Sequence, residues 1–297
     1  MTISDIKKVL NFAAFRPEPD DSTEMWGKRF PRTRSLLINI SREGVAWSTR
    51  SKSGDIVEGG ELQGTFEEVA AQMGDEWKDM TDDGWCGISL NTRYVVTLET
   101  NLSRRKGGDE LIRTNPKAAL GARAERGKRY AVNHNPESNT SLLLACEGGG
   151  IDKIEKSLRQ FELQPARIAC GAYAMLIELT KRVAAARRQL LDKNPEGAGG
   201  SVVMVVCCRG SVLALHQKEE RWLELRSRAD LYQGEEMEPV LPILAPLMES
   251  AGAGAEILFA NDDIGSGFAE YLQEQLPENR VTEVTRQNHL WSVLTDR

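Results

Sequence analysis

Residues 201–215 read SVVMVVCCRGSVLAL, a strand–turn–strand pattern around which the rest of the chain can be interpreted. A valine-rich run ends at the adjacent Cys207 and Cys208, the chain turns at Arg209-Gly210, and a second apolar run follows. β-Branched residues on both sides of a two-residue turn that contains glycine predict a pair of antiparallel strands. A tight turn between strands can also hold a phosphate group with its backbone N–H groups. The stretch therefore raises the question of whether this turn binds phosphate.

The order of elements around this stretch occurs twice in the chain. In the first half, three short strands joined by tight turns precede a helix that begins with a capping box at Thr65 and Glu68. In the second half, the strands that begin with residues 201–215 precede a helix over 240–251, a further strand and a closing helix. The halves share few letters, but the shared order predicts a duplicated fold of the α/β (α+β) class.

Changes in composition divide the chain into three parts. Residues 1–34 form an arm whose helical spacing stops at the segment PEPDD. We predict a first lobe over 35–195, with a small inserted subdomain at about 85–140, and a second lobe over 196–297. The segment NPEGAGGS, residues 194–201, is the predicted linker between the lobes.

The inserted subdomain is predicted to begin with a strand pair around Asn91-Thr92 and to continue with a basic segment. This basic segment, residues 103–130, holds nine Lys and Arg against three Asp and Glu, in a chain whose net charge is −6. We predict a helix interrupted near Pro116. Its charge fits a solvated face or a surface for anionic lipid, an acidic partner or nucleic acid. The candidate residues are Arg104, Arg105, Lys106, Arg123, Arg126 and Arg129.

The composition is that of an ordinary globular protein. Of the 297 residues, 40% are hydrophobic and 28% are charged, and no apolar run approaches the roughly 20 residues of a membrane-spanning helix. The N-terminus lacks the apolar region and cleavage site of a signal peptide, so we expect a cytoplasmic protein. The five cysteines show no CxxC spacing and the three histidines lie far apart, so we expect buried free thiols and no metal.

Three passages resemble the actin-like ATPase superfamily, and within it most of all the type IV pilus assembly protein PilM and the cytoplasmic part of the type II secretion L protein (GspL). The passages are GISLNTRYVVTLETNL (87–102), SLLLACEGGGIDKIEKSLRQFELQPARIACGAYAMLIEL (141–179) and ILFANDDIGSGFAEYLQEQL (257–276). The resemblance is a pattern of elements that covers most of residues 35–285. It implies an actin-like, ribonuclease-H-like duplicated fold with two lobes and an inserted small subdomain.

The resemblance also implies a nucleotide site, in which two β-turns and a glycine pair surround the phosphates and a carboxylate at each strand end helps to place Mg²⁺ or water. All three elements depart from the family pattern here. The family's first Asp-Ile-Gly-Ser, its second Asp-x-Gly and its glycine pair correspond to Asn39-Ile40-Ser41-Arg42, Val205-Val206-Cys207 and Ala260-Asn261-Asp262-Asp263. We therefore expect no catalytic residue and no cofactor, with weak Mg-ATP binding through Arg42 and Arg209 as the open alternative.

These departures imply a non-catalytic scaffold. The resemblance implies a cytoplasmic protein, peripheral to the inner membrane, that binds the cytosolic tail of a single-span assembly protein in a type IV pilus or type II secretion-like platform. An assembly ATPase would be a second partner, and the basic segment would face an anionic membrane surface. The tail is expected near Tyr94, Val96 and Leu98, which alternate along a predicted strand and equally fit core positions.

Two alternative functions stay open at this point. An active ATPase or small-molecule kinase of the superfamily would need a carboxylate near the phosphates, for which Asp262 or Asp263 is the convenient candidate. A nucleic-acid-binding module would use the basic segment, although its single aromatic residue, Tyr130, gives little support for base stacking. A ribonuclease-H-like nuclease would need clustered carboxylates that begin in the first strand, and SLLINI has none.

Overall fold

The computed structural model describes residues 34–51, 56–81, 84–193, 200–232, 236–262 and 267–284, together with Leu290 and Leu294. The strands in these ranges are β1 (Arg34–Ile40), β2 (Gly44–Ser51), β3 (Ile56–Gln63), β4 (Trp85–Leu90), β5 (Val95–Ser103), β6 (Lys128–His134), β7 (Thr140–Glu147), β8 (Gln164–Cys170), β9 (Ser201–Cys208), β10 (Ser211–Lys218), β11 (Arg221–Arg228), β12 (Glu256–Asn261) and β13 (Arg280–Glu283). The α-helices are α1 (Phe66–Asp79), α2 (Gly108–Thr114), α3 (Pro116–Leu120), α4 (Gly148–Gln160), α5 (Gly171–Lys193), α6 (Leu241–Ala251) and α7 (Phe268–Gln275). Residues 1–33 of the predicted arm and 194–199 of the predicted linker lie outside the described residues.

Two large sheets have the same strand order. The first sheet has the order β3-β2-β1-β4-β8, and the second has the order β11-β10-β9-β12-β13. In each sheet three consecutive strands form an antiparallel meander, and the first of them pairs in parallel with the next strand of that sheet. The repeated order and directions confirm the predicted duplicated, actin-like α+β fold.

Helices cover both large sheets, and one helix lies between them. On the outer face of the first sheet α1 and α4 bury Trp77 and Leu158, and on the outer face of the second sheet α6 and α7 bury Leu247 and Leu272. Helix α5 contacts the inner faces of both sheets. The cluster formed there, here called the central cluster, includes Leu37, Cys170, Tyr173, Leu176, Leu179, Met204, Val206, Cys208, Leu213, Leu290 and Leu294. Because each fully buried leucine stabilises the fold by about 1.5–3 kcal/mol, this cluster joins the two lobes strongly.

Helix α1 begins at the predicted capping box. The Thr65 side chain accepts a hydrogen bond from the Glu68 backbone N–H (3.3 Å), and Glu68 Oε2 accepts one from the Thr65 backbone N–H (2.8 Å). These bonds satisfy two N–H groups that the first turn of a helix leaves without partners. The hydrogen bonds with Thr65 also lower the pKa of Glu68.

A third sheet, with the order β5-β7-β6, forms the small subdomain. The two strands predicted around Asn91-Thr92 exist but do not pair with each other, because β4 pairs with β1 and β8 whereas β5 pairs with β7. A 3₁₀ turn, Thr92–Tyr94, carries the chain from the first sheet to the small one. The small sheet therefore spans 95–147, and the predicted bounds of 85–140 differ from it by one strand at each end.

The basic segment 103–130 is helical only in part. As predicted, the helix is interrupted near Pro116, since α2 ends at Thr114 and the proline begins α3. The end of the segment belongs to β6, which pairs with β7 and buries Tyr130. The predicted helix at this end is wrong, because pairing with β7 rather than local spacing determines the structure of KRYAVNH.

Candidate functional site: the two turns and the face between the lobes

The first turn, residues 41–43, joins β1 to β2 and is satisfied by its own side chain. Ser41 Oγ donates a hydrogen bond to the Gly44 carbonyl (3.1 Å) and accepts from the backbone N–H groups of Glu43 and Gly44 (3.2 Å each). These two N–H groups are therefore not presented to a phosphate. Arg42 is exposed and makes no ion pair with any residue that the structure describes.

Asn39 lies just before the first turn, at a buried position. It shares the inner face of the sheet with Leu37, because alternate residues of a strand face the same side. Its side chain is 7% exposed, and its Oδ1 has no hydrogen-bond partner among the described residues. An amide at this position supplies no negative charge to a metal ion.

The second turn, Arg209-Gly210, joins β9 to β10 with both residues at positive φ, +48° and +75°. Two such residues form the tight hairpin turn that matches the twist of paired strands. The carboxylate of Asp262 lies against this turn. Its Oδ2 is 3.1 Å from Arg209 Nε, and its Oδ1 accepts a long hydrogen bond from the Arg209 backbone N–H (3.4 Å). The Asp262 carboxylate thus contacts both the side chain and the backbone N–H of Arg209.

The first lobe also contacts the second turn. Asn91 Nδ2 donates to the Arg209 carbonyl and to Asp230 Oδ1, at 3.3 Å in each case. Arg93 Nη1 lies 3.1 Å from Asp230 Oδ2. Thr92 makes two further hydrogen bonds with Ser211 Oγ, one through its Oγ1 (2.9 Å) and one through its backbone N–H (3.4 Å). The two lobes are therefore joined at the second turn.

The backbone establishes which residues correspond in the two halves. The Asn91 N–H donates to the Ile40 carbonyl (3.0 Å), and the Asp262 N–H donates to the Cys207 carbonyl (3.2 Å). Ile40 thus corresponds to Cys207, and Val206 rather than Val205 corresponds to Asn39. The predicted alignment of the second turn was wrong by one residue, a shift that reverses the face of the sheet.

In the corrected alignment the two adjacent cysteines of the second turn lie on opposite faces of the second sheet. Cys207 points away from the central cluster into the outer core of the second sheet, whereas Cys208 lies in the central cluster. Burial raises the pKa of the Cys170 thiol to about 12, and it also raises the pKa of Cys207 and of Cys208. These groups are therefore neutral thiols near pH 7 and are poor nucleophiles.

Side chains from both lobes pack closely around Gly171 at the start of α5. A Cβ atom added to Gly171 would lie 2.4 Å from Ser89 Oγ and 2.5 Å from Leu290 Cδ1. Leu290 is 4% exposed and Leu294 is 1% exposed. Neither leucine could be identified from the sequence, because a distant apolar pair gives no local signal of what it packs against. The same holds for Asp230, which is 21 positions beyond Arg209 in the sequence.

A second bridge joins the small subdomain to the second lobe. Glu137, in the turn between β6 and β7, accepts a hydrogen bond from Gln217 Nε2 (2.5 Å) and lies 3.5 Å from Arg187 Nη1. Asn135 Nδ2 donates to the Glu220 carbonyl (3.0 Å). Because the Glu137 side chain is 7% exposed, this charge is desolvated and paired rather than solvated.

The remaining residues predicted at the third nucleotide element occupy the end of β12. Asn261 is 1% exposed and pairs in register with Cys207. Asp263 lies outside the described residues, so the alternative role given to it stays a prediction. Side chains at 260–262 replace the glycine pair of the family, and Asp262 is engaged with Arg209.

The three residues predicted to contact a partner tail differ in exposure. Tyr94 is 40% exposed and Val96 is 50% exposed, whereas Leu98 packs against the core of the small subdomain. Tyr94 Oη donates to the Ser41 carbonyl (3.1 Å), which places this side chain beside the first turn. Strand β5 is an edge of the small sheet. Tyr94 and Val96 are thus available at an edge, and Leu98 has a structural role.

The six predicted basic residues do not form one free basic face. Arg129 is held by Asp152 (2.5 Å) and Glu155 (2.8 Å), and Arg123 pairs with Glu99. Of the six, the exposed residues without an ion pair to any described residue are Arg104, Arg105, Lys106 and Arg126. The free positive charge is therefore concentrated in the loop between β5 and α2.

The described ranges contain neither a metal-binding cluster nor a membrane-spanning helix. Among these residues no group of three or more His, Cys, Asp or Glu side chains could hold a metal ion. No α-helix within the same ranges has both the length and the hydropathy needed to cross a membrane.

No protein-family model matches the chain, and no curated protein matches it significantly. Among solved structures, the cytoplasmic domain of EpsL, an inner-membrane component of the type II secretion system of Vibrio cholerae, is 10% identical over 88% of this chain and 93% of its own, with a TM-score of 0.49. A PilM–PilN type IV pilus biogenesis complex is 11% identical over 90% of this chain and 96% of its own, with a TM-score of 0.49. A protein of unknown function with an actin-like ATPase fold from Bacteroides thetaiotaomicron is 9% identical over 84% of this chain and 91% of its own, with a TM-score of 0.45. The fold assignment rests on the strand order of the two sheets, to which these distant similarities add no information about activity.

Proposed function

We propose that this chain is a non-catalytic, actin-like scaffold that binds the cytosolic tail of a membrane-embedded partner. One observation carries the proposal: the Asp262 carboxylate lies at the anion position of the second turn, against the backbone N–H and the guanidinium of Arg209. A phosphate at this turn would meet a negative charge. Ser41 uses the N–H groups of the first turn in a similar way.

The chemistry of the strand ends supports the same proposal. The positions that would direct a metal ion or a water molecule hold Asn39 and Val206, neither of which is a general base or an anionic ligand. Leu290 packs against Gly171 at the start of α5, where a polar ligand would lose its hydration. The fold is thus kept while the groups that nucleotide chemistry requires are replaced.

The partner class follows from the sequence resemblance to PilM and GspL, and the surface follows from exposure. The proposed site lies along the edge of β5, beside Tyr94 and Val96, where an extended peptide could add a strand to the small sheet. The partner would be a single-span assembly protein of a type IV pilus or type II secretion-like platform. In this proposal the chain is cytoplasmic and peripheral to the inner membrane, and an assembly ATPase is a second partner.

The first test is a calorimetric titration with Mg-ATP and with ADP. We expect no heat up to millimolar nucleotide, because Asp262 and Ser41 occupy the groups that would bind phosphate. Micromolar binding would contradict the proposal. Asp262→Ala, titrated in parallel, shows whether removal of this carboxylate restores an anion site.

The second test measures binding of fluorescein-labelled tails of single-span membrane proteins. We expect Val96→Asp to weaken binding of the cognate tail by about tenfold or more, since a charge at the centre of a peptide contact costs over 1.4 kcal/mol. Val57→Asp is the matched control, because Val57 is an exposed valine (59%, against 50% for Val96) on the edge strand β3. An equal loss in the two variants would move the contact away from β5.

A further inference from the structure

A cavity of about 340 Å³ lies in the small subdomain, between its sheet and the helices α2 and α3. Its apolar lining includes Leu102, Ile112, Leu120 and Val132, and Leu111, which also lines it, is 42% exposed. This volume is at the lower end of the range for small-molecule sites. Charged and polar residues line the cavity as much as apolar ones do, so it has the size of a small-molecule site and a mixed lining.

The acidic side chains that line the cavity are engaged by other residues. Glu99 forms an ion pair with Arg123, and Asp109 hydrogen-bonds His134 Nε2. The other ring nitrogen of His134, Nδ1, lies 2.6 Å from Ser141 Oγ, at the buried side of the cavity. The Glu99 carboxylate is thus neutralised by Arg123, and the Asp109 carboxylate is held in a hydrogen bond.

The serine, histidine and aspartate just described have the residue types of a hydrolase triad but not its arrangement. A nucleophilic serine must face the substrate while the aspartate is buried. Here Ser141 is 1% exposed, and the Asp109 side chain is 54% exposed. The row therefore holds α2 over the sheet and forms one wall of the cavity.

Three consecutive cations, Arg104, Arg105 and Lys106, also line the cavity, on the loop between β5 and α2. All three are exposed, and none makes an ion pair with a residue in the described ranges. Arginine offers a planar fork of donors that fits carboxylate or phosphate oxygens. The lining thus combines an apolar part with a cluster of unpaired positive charges.

We infer that this cavity binds a small amphipathic anion, whose apolar chain enters between Ile112 and Leu120 and whose charged group meets Arg104, Arg105 and Lys106. The site lies apart from the two turns, and the inference does not depend on the proposed scaffold function. A nucleic acid fits less well, because none of the described lining residues is aromatic and bases would have no stacking partner.

The experiment titrates the whole chain with octanoate, octanol and octylammonium, three probes with the same chain and different charge. Isothermal calorimetry measures the affinity of each. We expect octanoate to bind at least about tenfold more tightly than octanol, and octylammonium to bind weakest, because charge-assisted hydrogen bonds favour the anion.

Paired variants locate the site. Arg104→Gln/Lys106→Gln should lower the octanoate affinity about tenfold and leave the octanol affinity unchanged. Lys117→Gln/Arg126→Gln is the matched control, since it removes the same charge from exposed residues of the basic segment that do not line the cavity. Ala118→Trp, at an exposed lining position, should weaken binding of both probes by obstructing the cavity. All of these positions are exposed, so folding of the variants is expected and is checked by circular dichroism.

Three results would overturn the inference: no octanoate binding, equal affinity for the three probes, or an equal loss in the two double variants. Binding of anionic phosphatidylglycerol vesicles without any binding of octanoate would assign Arg104, Arg105 and Lys106 to a membrane surface and likewise remove the cavity as a site.

Discussion

The two turns at the start of the two meanders hold equivalent places in the fold but are satisfied in different ways. The first turn is closed locally, by Ser41 over three residues. The second turn is held by groups distant in sequence: Asp262 on Arg209, and Asn91 on both Arg209 and Asp230. Duplicated topology thus has not preserved duplicated chemistry. The first turn contacts its own hairpin and Tyr94 of the same lobe, whereas the second turn joins the lobes.

The difference shows two ways in which a turn between strands can satisfy its backbone. A turn that exposes backbone N–H groups needs an acceptor, from ligand, water or protein. In this chain both turns obtain acceptors from protein side chains, Ser41 in the first and Asp262 in the second.

The largest loss of stability is expected at the contact between Leu290 of the second lobe and Gly171 of the first. Leu290→Ala removes a side chain that is 4% exposed and packs against Gly171 in the central cluster. We expect a loss of about 2–5 kcal/mol in the free energy of unfolding, as for other buried leucines. Urea denaturation measures the loss. Leu190→Ala, at a leucine that is 50% exposed on α5, should stay within about 0.5 kcal/mol of the wild type. A similarly small change for Leu290→Ala would show that the lobes do not need this contact.

An intermediate effect should separate the two turns themselves. Asp230→Ala removes the acceptor of Asn91 and Arg93 and places alanine at a φ of +50°, so we expect a loss of about 1–2 kcal/mol. Ser41→Ala removes only local bonds and should cost about 0.5 kcal/mol. Urea denaturation again measures both.

Asp230→Asn separates the two causes of the loss, because asparagine tolerates the left-handed conformation but lacks the charge. It should recover most of the stability if the backbone dominates. A loss for Ser41→Ala as large as that for Asp230→Ala would contradict the distinction between a local turn and a turn that joins the lobes.

The helices, strands and turns were easier to predict from the sequence than the pairing of strands into sheets. The Thr65–Glu68 capping box, the interruption at Pro116 and the two meanders depend on neighbours within a few residues, and all were predicted. The separation of β4 and β5 into different sheets depends on partners that a single sequence does not reveal.

The candidate site was predictable only in part, for the same reason. The sequence alone shows that Asn39 carries no negative charge. It does not show that Asp262 pairs with Arg209, because the two residues are 53 positions apart and only the fold brings them together. The one-residue error at Val205 arose because a run of valines has no feature that fixes its register.

The smallest expected effect again compares the two halves, at one buried position of each meander. The register that aligns Ile40 with Cys207 also aligns Thr49 on β2 with His216 on β10, and both are almost fully buried. Burial lowers the pKa of His216, whose ring nitrogens lie 3.3 Å from Ser201 Oγ and from Ser250 Oγ. The folded state therefore favours the neutral ring, and the unfolded chain binds a proton more readily.

The sign of the pH dependence follows from this depressed pKa. The contribution of His216 to stability is complete above the unfolded pKa of about 6.5 and is lost as the pH falls below it. His216→Thr places in the second half the residue type of Thr49, its counterpart in the first half. The variant therefore lacks the pH-dependent contribution of the histidine. As the pH falls from about 7.5 to about 5.5, the free energy of unfolding of the wild type should therefore decrease relative to that of the variant. Urea denaturation at the two pH values measures this difference. Parallel curves would mean that the buried histidine exchanges protons in the fold as freely as in the unfolded chain, and that the two halves do not differ here. A shift would show that this difference between the halves extends to their response to pH, with one titrating ring in the second meander and an uncharged hydroxyl at its counterpart in the first.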